Sequence, residues 1–404
     1  MPGLIHLEGT TLEGGGQLLR LATCLSALTT TPIRITSIRG KRSGGGGLKA
    51  QHLTSVQWLS EASNAKVKGM GLKSKDLTFK PSGACKRNGW DEEGGEITIK
   101  QSTPGSVNLV FQAILPYILF SGGDGSGEAV RLKITGGTNV SNSPSCDYVE
   151  QVLLPMLALI GFPTMHAQIH WRGWSQGSTN LGSVSYTVTP LTKQLPAFHL
   201  TERGDIKTIR ATIIAPKAYE QQVRDELDGM FEKQEPKIFG TREPQIDVTF
   251  EDSHNDKRYY LLLVATTTKG IKLGGDWLYD RGVRAGKVDV AISNLVRKVS
   301  DDLISEIEHG GCVDEYLRDQ LVVFQALAKG KSEVYGGIKG DDLVEPSLHA
   351  QTAHWVAKEL IGIKFDKQGN CEGIGFQVGG KEGEKGAKDG EVDEATLALE
   401  KLDL

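Results

Sequence analysis

The stretch "GGGQLLRLATCLSALTTTPIRITSIRG", Gly14 to Gly40, decides how the fold is read. It reads as a glycine turn, an amphipathic helix and then a strand. The same organisation returns in "TPGSVNLVFQAILPYILF" with "EAVRLKITGGTN", and again in "VDEYLRDQLVVFQALAKGKSEVYGG". Each copy is followed by a second helix: "GLKAQHLTSVQWLSEAS", "SPSCDYVEQVLLPMLALIG" and "PSLHAQTAHWVAKELIG". Strands come next, as in "AKVKGMGLKSKDLTFKP" and "GSVSYTVTP". The pattern predicts an α/β protein in which a βαβαββ unit occurs three times, at about 1–101, 102–190 and 282–377.

Residues 191–281 do not fit the repeat. They hold "IKTIRATIIAP" (strand), "AYEQQVRDELDGMFEK" (helix), "QIDVTFED" and "RYYLLLVATTT" (strands), which predicts a small α/β domain inserted late. The expected organisation is a large repeat body, 1–190 and 282–377, interrupted by an insert at 191–281. A charged tail follows at 378–404. Its last 24 residues carry eight acids and four lysines, and glycine, lysine and glutamate dominate "GGKEGEKGAKDGEVDE". That composition predicts a disordered segment.

The 404 residues are 38% hydrophobic and 24% charged, the composition of a soluble globular chain. No apolar run approaches the roughly 18 residues of a membrane span. The N-terminus "MPGLIHLEGTTLEGGGQ" lacks the pattern of a signal peptide. The five cysteines are scattered and never form a C-x-x-C pair, which argues against a zinc site and for a reducing, intracellular setting.

The net charge of −4 hides an uneven distribution. From Gly14 to Ser60 there is no Asp or Glu, while Arg20, Arg34, Arg39, Lys41, Arg42 and Lys49 are all positive. Two readings of that run stand: a solvated basic face, or a phosphate site. Gly44–Gly47 sits among the bases and a helix follows, and backbone N–H groups at a helix start bind anions together with Arg and Lys.

In "EPSLHAQTAHWVAKEL", Glu345 to Leu360, Ser347 is the expected N-cap. His349, Ala353, Val356 and Leu360 fall on one helical face, so His349 is expected on the buried side. His354 lies about 140° further round, too far to share a metal with it. The repeat sets Lys49-Ala50-Gln51 where His349-Ala350-Gln351 falls. A first-turn histidine meets the positive end of the helix, which disfavours imidazolium and keeps a neutral nucleophile. The ordinary alternative is a packed structural histidine.

Taken together, "EGGGQLLR", "KAQHL", "PGSVNLVFQ", "GGTN…SPSCDY", "LTERG", "RGVRAGKV", "HGGCVDEYLRDQLVVFQALAKG" and "LHAQTA" resemble the RNA 3′-terminal phosphate cyclase family, in its catalytic, eukaryotic-like branch. The resemblance runs from about Leu7 to Phe376, with the motifs in family order. It implies three βαβαββ units plus a smaller inserted α/β domain, and ATP-dependent conversion of an RNA 3′-phosphate to a 2′,3′-cyclic phosphodiester. By the same resemblance His349 is the residue that becomes adenylylated. Tyr316, Asp319 and Gln320 hold the adenosine, Gln112 and Pro144 line the nucleotide pocket, and Glu13 holds a divalent metal (magnesium or manganese). Arg20, Arg39 and Arg42 neutralise the RNA end. Nuclear placement follows from likeness to eukaryotic members, and the oligomeric state stays open. Two loops depart from the family pattern, "GWSQGSTNLGS" and "RGKRSGGGGLK". A non-catalytic branch of the family serves as a scaffold in ribosome assembly and lacks the nucleophilic histidine, which this chain retains.

Overall fold

The computed structural model describes residues 3–42, 44–82, 96–121, 128–177, 179–240, 243, 245–283 and 286–377. The reading of 378–404 as a disordered tail lies outside them. In the first unit, β1 (Ile5–Glu8), α1 (Gly16–Thr29), β2 (Ile33–Thr36), α2 (Ala50–Ala62), β3 (Lys66–Lys68) and β4 (Leu77–Lys80) follow in chain order. Their sheet has the order β1-β2-β4-β3. β1 and β2 are parallel, so a crossover must join them, and α1 supplies it. β4 runs antiparallel to β2 and β3. Strand alternation sets the faces: Ile33 and Ile35 are buried while Arg34 between them is exposed.

The second unit holds β5 (Glu96–Lys100), α3 (Val107–Phe120), β6 (Val130–Gly136), α4 (Cys146–Tyr148), a π-helical turn (Val149–Leu153), α5 (Leu154–Leu159), β7 (His166–Trp171) and β8 (Gly182–Val188). Its order, β5-β6-β8-β7, and its one parallel and two antiparallel pairings match the first sheet.

The next strand, β9 (His199–Leu200), falls within residues assigned from sequence to the insert, yet it pairs parallel with a strand far downstream. Between them come β10 (Ile206–Ala215), α6 (Glu220–Phe239), β11 (Ile246–Asp252), β12 (Tyr260–Thr267), β13 (Lys272–Leu278) and α7 (Val288–His309). These four strands form their own sheet, β11-β10-β12-β13. α7 packs on β12, β13 and α6, although its sequence position suggested the repeat body. Its buried stripe Ile292, Leu295, Val299 and Leu303 explains this, because that face needs an apolar sheet and the insert offers one.

The chain returns through α8 (Glu315–Leu327), β14 (Lys329–Val334), the hairpin β15 (Ile338–Lys339) and β16 (Asp342–Leu343), α9 (Leu348–Ile361) and β17 (Cys371–Ile374). A three-stranded sheet β17-β14-β9 results. The helices meet inside: α1 packs on α2, α3 and α9, and α8 packs on α9. α1 is buried over most of its length, from Leu18 to Leu28. The Glu13–Gly16 turn lies at its amino end.

Cys24, Cys146, Cys312 and Cys371 are buried free thiols. Among the described residues no helix is long and apolar enough to cross a membrane.

Candidate active site

The turn between β1 and α1 is tightly constrained. Leu12 has φ +51° and Gly14 φ +62°, and a Cβ at Gly15 would collide with the Glu13 carboxylate folded over it. The Glu13 N–H donates to Thr352 Oγ1 at 3.2 Å, and Thr352 Oγ1 in turn donates to the Leu348 carbonyl at 2.7 Å. One hydroxyl thus ties this turn to the amino end of α9.

Ser347 caps α9, accepting from the Ala350 N–H at 3.2 Å. His349 sits in the first turn, but it is exposed rather than on the buried side expected from sequence. Ala350 takes the inward position of that turn and is fully buried, as are Ala353 and Val356 below it. Among the described residues the His349 ring makes no hydrogen bond. The residue is exposed, yet the surrounding protein still removes part of its water. That loss of water, followed by Arg20 and Arg42, holds its pKa below the ordinary 6.5, with Glu315 opposing. The structure thus adds desolvation and two guanidinium groups to the helix-end field expected from sequence. His354, by contrast, stacks flat on Phe365 with ring centroids 4.0 Å apart.

Arg20 and Arg42 act on His349, and Arg20, Arg39 and Lys49 act on His52. Arg20, on α1, donates to Gln17 Oε1 at 2.7 Å, and burial lowers its pKa to about 10 against the pull of Asp319. Arg39 has φ +55° and donates to the Gly47 carbonyl at 3.2 Å. The Arg42 guanidinium pairs with the Glu13 carboxylate. His52 is buried, and its Nδ1 accepts the Lys49 N–H at 3.2 Å, so the neutral ring carries its proton on Nε2. That Nε2 faces the amino end of α1, where a Cβ at Gly16 would stand 2.6 Å from it and 2.8 Å from Arg20 Nη1. Burial, then Arg20, Arg39 and Lys49, push the His52 pKa down to about 3.

A cleft opens between α1, α3 and α8, with Gln17, Arg20, Gln112, Asp319 and Gln320 as its polar walls. Burial raises the Asp319 pKa to about 7, aided by Asp314 and Glu315 and opposed by Arg20. Gln320 Nε2 donates to the Tyr316 carbonyl at 2.9 Å, while its Oε1 is buried without a partner among the described residues. Tyr316 lies one turn earlier on α8, edge-on to Tyr148 at 6.1 Å. Pro144 stands off the cleft walls. Its carbonyl accepts from Asn108 Nδ2 of α3 at 2.8 Å. The structure therefore gathers Arg20, Gln112, Asp319 and Gln320 in one cleft, with Arg20 also acting on His349.

Both Glu13 oxygens are buried, and Arg42 is their one polar contact among the described residues. No cluster of three or more His, Cys, Asp or Glu suited to a metal occurs there. A single carboxylate fits a hard cation shared with phosphate oxygens, not a cage made of protein. Sequence reasoning missed Thr352 and Gln17. Their signal was available in spacing, since each lies three positions from a singled-out residue on a helix, Thr352 after His349 and Gln17 before Arg20.

A sequence model of the family described as RNA 3′-terminal phosphate cyclase matches residues 11–367. The chain is 32% identical over 369 residues to the RNA 3′-terminal phosphate cyclase of Pyrococcus furiosus, covering 91% of this chain and 96% of that one. It is 34% identical over 338 residues to the protein of that name in Caldivirga maquilingensis, covering 82% and 87%. It is 29% identical over 365 residues to the "Probable RNA 3'-terminal phosphate cyclase" of Dictyostelium discoideum, covering 89% and 77%. A match of this extent means that the chain belongs to the RNA 3′-terminal phosphate cyclase family.

Proposed function

We propose that the protein uses ATP to convert an RNA 3′-terminal phosphate to a 2′,3′-cyclic phosphodiester, through a covalent adenylate on His349. One observation carries this reading: an exposed imidazole in the first turn of α9, its pKa held below 6.5 by lost water and by Arg20 and Arg42, with Arg20 also lining a polar cleft. A phosphomonoester cannot cyclise directly, because oxide is too poor a leaving group. The His349 lone pair attacks the α-phosphorus of ATP, a P–N bond forms, and the bond to the bridging oxygen breaks as pyrophosphate leaves. An oxygen of the RNA 3′-phosphate then attacks the same phosphorus, breaking P–N and forming an anhydride with AMP. Finally the neighbouring 2′-oxygen attacks the 3′-phosphorus, AMP departs, and the hydroxyl proton passes to solvent. Proximity makes that last step fast, and the need for a 2′-OH confines it to RNA ends.

In this reading Gln112, Asp319 and Gln320 hold the nucleoside in the cleft, with Tyr316 at its rim. The unpartnered Gln320 Oε1 suits an amino-group donor. Pro144 keeps a pocket role by resemblance alone. Glu13 would hold a divalent cation, magnesium or manganese, which supplies charge neutralisation at the triphosphate. Arg20, Arg39 and Arg42 receive the RNA phosphate.

The test is a 3′-phosphorylated RNA incubated with ATP and magnesium. The end should become resistant to phosphatase, and His349→Ala should abolish the conversion. Retained conversion by the folded His349→Ala protein would exclude His349 as the nucleophile.

A further inference from the structure

The solvent face of the first sheet carries a charge pattern that the chemistry at His349 does not use. Strand register sets Lys66 directly opposite Lys80, and Lys68 opposite Thr78, which in turn stands opposite Arg34. Their neighbours Ile33, Ile35, Leu77 and Phe79 are fully buried on the other side, so the four cations share the outer face, all exposed. Like charges directly opposite one another destabilise an antiparallel pair. Lysines on an edge strand commonly guard against strand addition, and β3 is an edge. That account does not reach Arg34 on β2 or Lys80 on β4, which are interior strands. Among the described residues none of the four is in an ion pair.

A second observation connects this face to the site. The turn joining β3 to β4 is laced to the basic loop that carries Arg39 and Arg42. The Ile38 N–H donates to the Lys75 carbonyl (2.9 Å), Leu48 N–H to Ser74 (3.0 Å), and Lys73 N–H to Leu48 (2.9 Å). Lys73 and Lys75 are exposed on this turn. Met70 and Leu72 are 42% and 64% exposed beside them. A basic path with apolar side chains along it therefore runs from the active-site edge onto the outer face.

We propose that this turn and face bind the single-stranded RNA segment that leads into the reacting end. Lysine and arginine contact its phosphates, which fixes the strand without reading its sequence, while Met70 and Leu72 offer unstacked bases an apolar surface. The proposal rests on the reading above only in taking RNA as the substrate.

Two charge-reversed doubles test it, Lys66→Glu with Lys80→Glu and Lys73→Glu with Lys75→Glu. A control double, Lys100→Glu with Arg131→Glu, changes net charge equally on the outer face of the second sheet. Binding of a long single-stranded RNA, followed by fluorescence anisotropy against salt, should weaken about tenfold in each test double. The salt slope should fall by about 0.7 for each lost phosphate contact. KM for a 3′-phosphorylated dinucleotide should not move, because it ends before the path begins. Unchanged affinity for the long RNA, an equal loss in the control double, or an equal rise in KM for the dinucleotide would overturn the proposal. If the wild type bound RNA through this face yet failed to cyclise it, the failure would belong to the proposed reaction and not to this surface.

Discussion

As the proposed nucleophile, His349 needs a neutral imidazole to attack phosphorus, and its surroundings favour that form. Loss of water, Arg20 and Arg42 all disfavour imidazolium. Adenylylation should therefore hold its rate as pH falls through 6.5, the ordinary histidine value, and decline only below it. Arg20→Gln removes one opposing charge, so its acid limb should move upward in pH, whatever it does to the maximal rate. A limb at or above 6.5 in the wild type would contradict the argument. Asp319 works in the opposite sense. Its folded pKa of about 7 lies above the ordinary aspartate value of 3.8, so the folded state keeps a proton that the unfolded state releases. Stability is then lost as pH rises from 3.8 through about 7. Asp319→Asn cannot ionise. Its melting temperature relative to wild type should improve by about 2 °C or more between mildly acid and mildly alkaline solution. A constant difference would mean that Asp319 is ionised throughout.

At the scale of elements, Thr352 joins two structures that the sequence keeps far apart, the β1–α1 turn and the first turn of α9. Thr352→Val keeps the shape and loses the hydroxyl. Adenylylation should fall by about tenfold, with a higher requirement for divalent cation, and Thr352→Ser should restore both. A loss that serine fails to rescue would point to packing instead. Much of this level was legible in the sequence. The helices starting near Gly16 and Ser347 show themselves through glycine and capping chemistry, and the lysine and arginine run without acids marks the basic loop. Two things were not legible. His349 occupies an outward position because Ala350 takes the inward one, and a period count alone cannot tell which flank of a first turn meets the neighbouring helix. The two-residue β9 is too short for any periodicity, and only its pairing with β14 identifies it.

Across the whole molecule, the insert is clamped to the second unit by Arg172. Its guanidinium donates to both oxygens of buried Asp147, at 2.7 and 2.9 Å, and to both oxygens of Glu251 on β11, at 2.7 and 2.8 Å. Arg258 reinforces the contact by donating to Asn180 Oδ1 at 3.0 Å. Removing one partner of a buried pair leaves an uncompensated charge and costs about 3–5 kcal/mol. Arg172→Ala should therefore lower the melting temperature by several degrees and speed proteolysis between the second unit and the insert. An unchanged melting temperature would show that the apolar contacts of the insert suffice. Nothing in the sequence singled out Arg172, because its partners lie 25 and 79 positions away and follow no local spacing.

The central claim is that His349 takes AMP from ATP, and the protein alone can report it. Incubated with α-labelled ATP and a divalent cation, without RNA, it should retain label and release pyrophosphate. The bond should be labile to acid and stable to alkali, as a phosphoramidate is, since a P–N bond hydrolyses once its nitrogen protonates. His349→Ala should retain no label, while His354→Ala should label like the wild type. Absence of label from folded protein under every divalent cation tried, or full labelling of the His349→Ala variant, would contradict the account.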